Sequence, residues 1–288
     1  MMKFENIKCI DLASLEERQR EGDKDATYML AMYHEKGVYV SQDREKAKAM
    51  LVDLSRQKHW AAKGYCLEKG YGKFGADEGL AVACYEKGAQ SGDTSSTTSL
   101  ANCYLRGIGV VQDMEKAAEL YEKAAKEGDT TAVTSLGYCY EMGGGVDQDD
   151  ALAFHLYEQA SGKGDTLATA YLGLCYFRGT SVEQDAKRAA ALFETAAKEG
   201  ETLAITNLAV CYHGGNGVEK DGGKAVQLYE LAASKGDARA ITYLAYCFEQ
   251  GDCVEKDVEK AVGLYMKAAE MGDATAIACL QQYGGGGD

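Results

Sequence analysis

A glycine returns every 36 residues through most of this chain, at Gly92, Gly128, Gly164, Gly200, Gly236 and Gly272. A period held without drift means that one supersecondary unit is copied and stacked, and this limits the fold before any local motif is read. Eight residues after each glycine stands a leucine: Leu100, Leu136, Leu172, Leu208, Leu244 and Leu280. Four before the leucine the residue is small, from Ser96 and Ala132 to Ala276. Three and four after it comes a cysteine with an aromatic ring, from Cys103/Tyr104 to Cys247/Phe248. Steps of this size keep all these side chains on one stripe of a helix.

The first helix then meets a glycine-rich stop, as in Gly107-Ile108-Gly109, Gly143-Gly144-Gly145 and Gly215-Asn216-Gly217. Glycine closes a helix because it takes the left-handed conformation without a Cβ penalty. An aspartate follows at positions 113, 149, 185, 221 and 257. Its carboxylate is suited to accept the free amide groups of a second helix. That helix carries Ala117/Leu120/Tyr121/Ala124 and its later equivalents, a second apolar stripe. Asp93, Asp129, Asp165, Asp237 and Asp273, with Glu201 in one copy, stand where they would cap the next first helix. One unit is therefore a helical hairpin with one apolar side, which only its stacked neighbours can cover.

The segment Leu136-Gly137-Tyr138-Cys139-Tyr140, the turn from Gly143 to Val146, Asp149, and Ala153/Leu156/Tyr157/Ala160 carry a resemblance. The pattern resembles the Sel-one-like repeat, a relative of the tetratricopeptide repeat, over roughly residues 22–283. The residue pattern itself gives an all-α chain. The resemblance implies a right-handed α/α superhelix of about seven antiparallel helix-pair repeats with half-repeats at the ends. It also implies that the first helices line a concave face and that the protein serves as an adaptor.

A capping helix is expected in residues 1–21, from the amphipathic stretch DLASLEERQRE. The expected repeats are 22–58, 59–91, 92–127, 128–163, 164–199, 200–235 and 236–271, then a half-repeat at 272–283 and a Gly-rich tail at 284–288. Copy 59–91 diverges most, and the only tryptophan, Trp60, lies in its shortened connection. Trp60 either patches the packing between unequal repeats or anchors a partner. Proline is absent, as an unbroken helical array permits. The start, MMKFENIKCI, lacks the apolar centre of a signal peptide. No run approaches the roughly 18 apolar residues of a membrane span. A cytoplasmic protein that does not engage a membrane is expected.

Ten cysteines raise the question of a disulfide framework. Cys103, Cys139, Cys175, Cys211 and Cys247 occupy one repeated position, and equivalent atoms of stacked helices lie on the order of 10 Å apart. A disulfide needs less than about 7 Å, so these residues are expected as buried thiols. Cys247 and Cys253 are the one local pair that could bond. A secreted bacterial branch of the resembled family, associated with β-lactam binding, links two cysteines in every repeat, and this chain departs from that pattern. The histidines His34, His59, His155 and His213 are scattered, none with a histidine or cysteine three or four residues on. No metal site, catalytic residue or cofactor is expected from that spacing. His155 is expected in solvent on a second helix, and His213 near the end of a first helix, where a polar or cationic residue suits the dipole. The Gly-x-Gly turns lack the strand and lysine of a phosphate loop. A net charge of −14 comes largely from the capping aspartates and from second-helix residues such as Glu115, Glu119 and Glu122. It favours basic partners and argues against nucleic acid, whose phosphates require a basic face.

If first helices line a groove, the residues beside their core stripe face it. Ten after the opening glycine come Asn102, Tyr138, Leu174, Val210 and Tyr246; seven after it come Tyr171 and Tyr243. Arg106, Phe177 and Arg178 follow near the helix ends. These positions vary while the core does not, and they are rich in hot-spot residue types. Two readings stay open for the rings: partner contacts, or packing between neighbouring first helices. The expected function is a non-catalytic, monomeric scaffold that binds a protein or peptide on the concave face. The alternatives are a hydrolase of the disulfide-stapled β-lactam-binding type and a structural spacer.

Overall fold

An aspartate opens nearly every helix, and its carboxylate is bonded as the sequence pattern requires. Asp43, Asp77, Asp113, Asp149, Asp185, Asp221 and Asp257 each accept a backbone N–H three residues on, at 2.8–3.0 Å. Each such cap contributes about 1 kcal/mol to its helix. The first helices close at Gly37, Gly70, Gly107, Gly143, Gly215 and Gly251, all left-handed with φ of 64–74°. Start and stop signals are therefore local, and the repeat length follows from them.

A computed structural model of the chain describes residues 11–73 and 75–284. The first ten residues of the expected N-terminal cap and residues 285–288 of the expected tail lie outside them. Among the described residues there are sixteen helices and no strands. The chain divides into two compact units at Thr169/Ala170.

In the first unit, α1 (Leu12–Arg20) precedes four hairpins. They are α2 (Lys24–Lys36) with α3 (Arg44–Arg56), α4 (Trp60–Lys69) with α5 (Glu78–Gln90), α6 (Thr94–Arg106) with α7 (Met114–Lys126), and α8 (Thr130–Met142) with α9 (Asp150–Ser161). Each helix packs on the next from α1 to α9. Helix α10 (Thr166–Arg178) carries the division between the units. The second unit holds α11 (Ala186–Lys198), α12 (Thr202–Gly214) with α13 (Gly222–Ser234), α14 (Ala238–Gln250) with α15 (Val258–Glu270), and α16 (Ala274–Gly284). Consecutive helices pack here too, from α11 to α16.

The core is the pair of stripes read from the repeat. Ala132, Val133, Leu136 and Cys139 of α8 pack with Tyr121 and Ala124 of α7 in the first unit. Ile241, Leu244 and Cys247 of α14 pack with Tyr229 and Tyr265 in the second. Small residues set the spacing: a Cβ on Gly137 would lie 2.8 Å from the Tyr157 ring, so the ring occupies the volume a side chain would need. In several hairpins a cation from the second helix also covers an aromatic ring near the end of the first. Lys116 lies 4.1 Å from the Tyr104 ring, Arg188 4.2 Å from Tyr176 and Lys260 3.9 Å from Phe248. Such a contact adds about 0.5–1 kcal/mol at a partly exposed site.

The divergent second hairpin is built by substitution of parts. His59 takes the cap position of α4, where Nδ1 accepts the Ala62 N–H at 3.2 Å. Its Nε2–H donates to Asp25 at 3.1 Å, and its ring stacks on Tyr28 at 5.0 Å. Trp60 packs against the core with Lys63 and Lys87 each 5.6 Å from its ring. This is the packing role considered for Trp60. Nine described cysteines carry free thiols. Burial pushes Cys103 up to about 12, and Cys139 and Cys211 up to about 11.

Candidate functional site

One polar latch recurs inside the hairpins and determines which side chains remain available on the first helices. The buried tyrosine of the second helix donates its hydroxyl to a glutamate in the last turn of the first. Tyr85 reaches Glu68 at 3.2 Å, Tyr157 reaches Glu141 at 2.7 Å and Tyr265 reaches Glu249 at 3.0 Å. Burial raises all of these hydroxyls that shift, Tyr85 and Tyr265 well above the ordinary range. Glu249 is held below its ordinary value, first by a hydrogen bond from Tyr283 and then, against the effect of burial, by Tyr265. Among the hairpins after the first, three depart from the latch; in the first, Leu51 stands at the tyrosine position and one Glu35 carboxylate oxygen is buried without a partner. Tyr121 donates to Asn102 instead, at 2.9 Å. In the next departure both partners are apolar, with the Phe177 and Phe193 rings 6.4 Å apart. In the third, the residue opposite Tyr229 is His213, and the Tyr229 hydroxyl is buried without a protein partner.

Taken unit by unit, the residues expected on the groove meet different fates. In the first unit Asn102 is exposed, yet its amide is engaged on both sides, accepting from Tyr121 and donating to the Thr98 carbonyl at 3.0 Å. Arg106 is exposed and Tyr138 half-buried. The first repeat also reaches the approach to a later first helix, where the Tyr39 hydroxyl donates to the Gly164 carbonyl just before α10. In the second unit Leu174 is buried at 8% exposure, so its side chain belongs to the packing rather than to an open face. Tyr171, Phe177 and Val210 are half-buried, and Arg178 is exposed. Tyr243 and Tyr246 stand out at 41% and 44% exposure.

Those two tyrosines are held from beneath. Tyr243 stacks on Tyr229 with ring centres 5.4 Å apart and planes at 23°. Tyr246 lies 6.2 Å from the His213 ring. His213 is fixed in turn: Nε2–H donates to Asp252 at 2.7 Å, and Nδ1 faces the Cys247 sulfur at 3.8 Å. Cys253 completes a group whose ligand-type atoms all lie within 4.8 Å of one another. A search for neighbouring histidines and cysteines along one helix passes over this cluster, because His213 is 34 residues upstream of Cys247. The repeat register does show it. His213 stands where other copies have Glu141 and Glu249, and Cys253 stands where they have Gly109, Gly145 and Gly217. His155, expected in solvent, keeps a partly exposed ring whose Nδ1 is itself buried, 3.8 Å from Glu158.

The capped hairpins, their shared apolar core and the variable first-helix faces define an α-helical repeat protein. The chain belongs to the Sel1 repeat family, whose pattern matches residues 24–51, 60–93, 95–129, 131–165, 166–201, 202–237 and 238–273. Proteins of this family are generally non-catalytic protein-interaction scaffolds. Among solved structures, the chain is similar to a Sel1 repeat protein from Oxalobacter formigenes, with 28% identity and a TM-score of 0.64, over 84% of this chain and 96% of that one. It is also similar to a protective antigen present in uropathogenic Escherichia coli strains, with 30% identity and a TM-score of 0.53. That match covers 96% of this chain but only 61% of the antigen. An immunity protein from Pseudomonas aeruginosa shares the fold at 22% identity and a TM-score of 0.53, over 74% of this chain and 82% of that one. No curated protein matches the sequence. No helix among the described residues is long and apolar enough to cross a membrane.

Proposed function

We propose that the chain is a non-catalytic scaffold that captures a basic protein segment on its first-helix faces, with Tyr243 and Tyr246 of α14 as its anchors. The observation that carries this reading is a pair of large aromatic rings, more than two-fifths exposed, with Tyr243 stacked on the buried Tyr229 and Tyr246 beside the half-buried His213 ring. Rings immobilised before binding lose little rotamer freedom on contact, and tyrosine is enriched among residues that dominate interface energies. The net charge of −14 supports a basic partner through steering and complementarity. The hydrolase alternative rests on disulfide-stapled repeats, and the nine described cysteines are free. The spacer alternative has no discrete anchor to lose.

The test is selection of the purified chain against a displayed peptide library, beside a Tyr243→Ala/Tyr246→Ala variant. Enrichment of a shared basic motif by the wild type, lost in a variant of unchanged helicity, is the expected result. Equal enrichment by both proteins would remove the two tyrosines from the reading. Absence of any enriched motif would favour the spacer.

A further inference from the structure

We propose that His213, Cys247 and Cys253 form a zinc site in which Asp252 orients the imidazole. The geometry points to it first. The Nε2–H of His213 is committed to the Asp252 carboxylate at 2.7 Å, which leaves the Nδ1 lone pair turned toward the sulfurs. Nδ1 is 3.8 Å from the Cys247 sulfur, and all four residues offer ligand atoms within 4.8 Å of one another. A tetrahedral zinc with bonds of about 2.3 Å to sulfur and about 2.0 Å to nitrogen has S···N edges of about 3.6 Å and S···S edges of about 3.8 Å. The cluster therefore closes on a metal with shifts of a few tenths of an ångström to about one. A carboxylate holding the far nitrogen of a metal-bound histidine is the usual outer support of such ligands. Two thiolates and an imidazole suit Zn²⁺ over the hard, oxygen-seeking cations.

The repeat itself supplies a second observation, because this copy is altered in a coordinated way to bring the ligands together. In three other regular copies the residue at the Cys253 position is a glycine (Gly109, Gly145 and Gly217) pressed against the start of the preceding second helix, and in a fourth it is Ser181. A Cβ on Gly145 would fall 2.1 Å from the Met114 carbonyl, and one on Gly217 would fall 2.0 Å from that of Ala186. Here a cysteine occupies that turn, and the helix start it meets has become glycine. A Cβ on Gly222 would lie 3.0 Å from Cys253 Cα and 3.3 Å from its sulfur. His213 likewise replaces the latch glutamate, and its nitrogens are directed at Asp252 and the sulfurs while the buried Tyr229 hydroxyl goes unpaired. The latch is kept in three hairpins and lost in four, and only here does a histidine take the glutamate position. The same trio also has the order of a Cys–His–Asp nucleophile, but Cys247 is fully buried and burial raises its thiol, the opposite of an activated sulfur.

Binding forms two Zn–S bonds and one Zn–N bond, releases the two thiol protons to solvent and transfers no electrons. Three protein ligands leave a fourth position on the metal for water or for a group from a partner. The experiment titrates the full, reduced chain with Co²⁺ and then displaces it with Zn²⁺. One equivalent should give the visible bands of tetrahedral cobalt and a thiolate-to-cobalt charge-transfer band. Two variants return the residues of other copies and so preserve folding: His213→Glu, which offers Tyr229 a carboxylate, and Cys253→Gly, which restores the turn glycine. Both should fold and lose the charge-transfer band. Cys211→Ser, at a repeated cysteine outside the cluster, should keep it. Asp252→Asn should bind roughly 10- to 100-fold more weakly. A reduced wild type without bands overturns the proposal, as do bands that persist in both restoring variants. A chain that binds no cobalt when reduced but joins Cys247 to Cys253 in air overturns it in favour of a redox pair.

Discussion

Removing one oxygen from each of three equivalent tyrosines should give opposite results. Tyr157, Tyr229 and Tyr265 are all fully buried at the same place in their hairpins. Tyr157→Phe removes a 2.7 Å bond to the Glu141 carboxylate, and Tyr265→Phe removes a 3.0 Å bond to Glu249. A hydrogen bond to an ionised group is worth about 1.5–3 kcal/mol. Tyr157→Phe should fall at the upper end, because its bond is the shorter. Tyr265→Phe should fall at the lower end, because Glu249 also accepts from Tyr283 and Gln250. Tyr229→Phe removes a hydroxyl that has no protein partner, while its ring keeps the stack on Tyr243. Burying an unpaired hydroxyl costs about 1–3 kcal/mol, so its removal should be neutral or stabilising by up to about 2 kcal/mol. The gap between Tyr229→Phe and Tyr157→Phe should then exceed about 1.5 kcal/mol, a factor of about ten in the unfolding constant. Urea unfolding followed by far-ultraviolet circular dichroism measures it, with equal m-values required across the set. A loss of 1 kcal/mol or more in Tyr229→Phe would show that the hydroxyl is satisfied, and the account of how His213 left the latch would fail.

Three further outcomes test other parts of the fold. Gly217→Ala places a Cβ 2.0 Å from the Ala186 carbonyl at φ +76°, whereas Gly236→Ala meets nothing within 4 Å at φ +95°. The second should cost only the left-handed backbone term of about 1–2 kcal/mol, and the first clearly more in the same urea assay. Leu136→Ala, at a side chain 1% exposed, should cost about 2–5 kcal/mol, and a loss under about 1 kcal/mol would remove Leu136 from the stacking core. Burial alone would raise the Asp23 carboxyl, but the Ala26 amide and the Arg18 guanidinium outweigh it and hold the group below 3.8. A depressed carboxyl stabilises the fold fully above its unfolded value and loses that effect as pH falls through the folded one. The stability gap between wild type and Asp23→Asn should therefore be constant near neutrality and shrink below about pH 4, and a gap independent of pH would refute the assignment.

The parts of this fold that were legible in the sequence are those whose physics is local. An aspartate cap bonds an amide three residues away, and a glycine stop changes one backbone angle, so helix boundaries follow from single positions such as Asp113 and Gly107. The apolar stripes were legible because a hairpin has one sheltered side. The face of each first helix was less so. Leu174 and Tyr246 share a position in the repeat, yet one is 8% exposed and the other 44%. Their fate depends on which rings the neighbouring hairpins present, which periodicity along one helix does not encode. The cap of α4 was hidden for another reason: His59 performs the task of aspartate with an imidazole nitrogen. The cluster at His213 required comparison of copies, since its members come from two hairpins and only the broken register connects them.

Several departures from the repeat come in matched sets, and these show how an array with one core can hold different chemistry at each step. Thr98 donates to the Asp129 cap of the next first helix, Thr206 reaches Asp237 at 2.6 Å and Thr242 reaches Asp273 at 2.9 Å. Where the cap is the longer Glu201, the residue at the threonine position is Ala170, which has no hydroxyl to place. Where the latch loses its tyrosine at Phe193, the glutamate position is Phe177, so no carboxylate is stranded beside a ring. Where the turn glycine becomes Cys253, the helix start becomes Gly222, although in the copy that has Ser181 at the turn the corresponding helix start is Asp150. Each matched change removes the cost that either alone would impose, an unpaired polar group or a steric clash. Two places break this rule: in the first hairpin Leu51 stands at the tyrosine position while a Glu35 carboxylate oxygen stays buried without a partner, and in the sixth the Tyr229 hydroxyl is left unpaired. Its neighbour changed from glutamate to histidine, and no second change converted the tyrosine to phenylalanine. An uncompensated cost beside an otherwise coordinated set of substitutions marks the place where something other than packing determined the residues. That place is the group formed by His213, Cys247, Asp252 and Cys253.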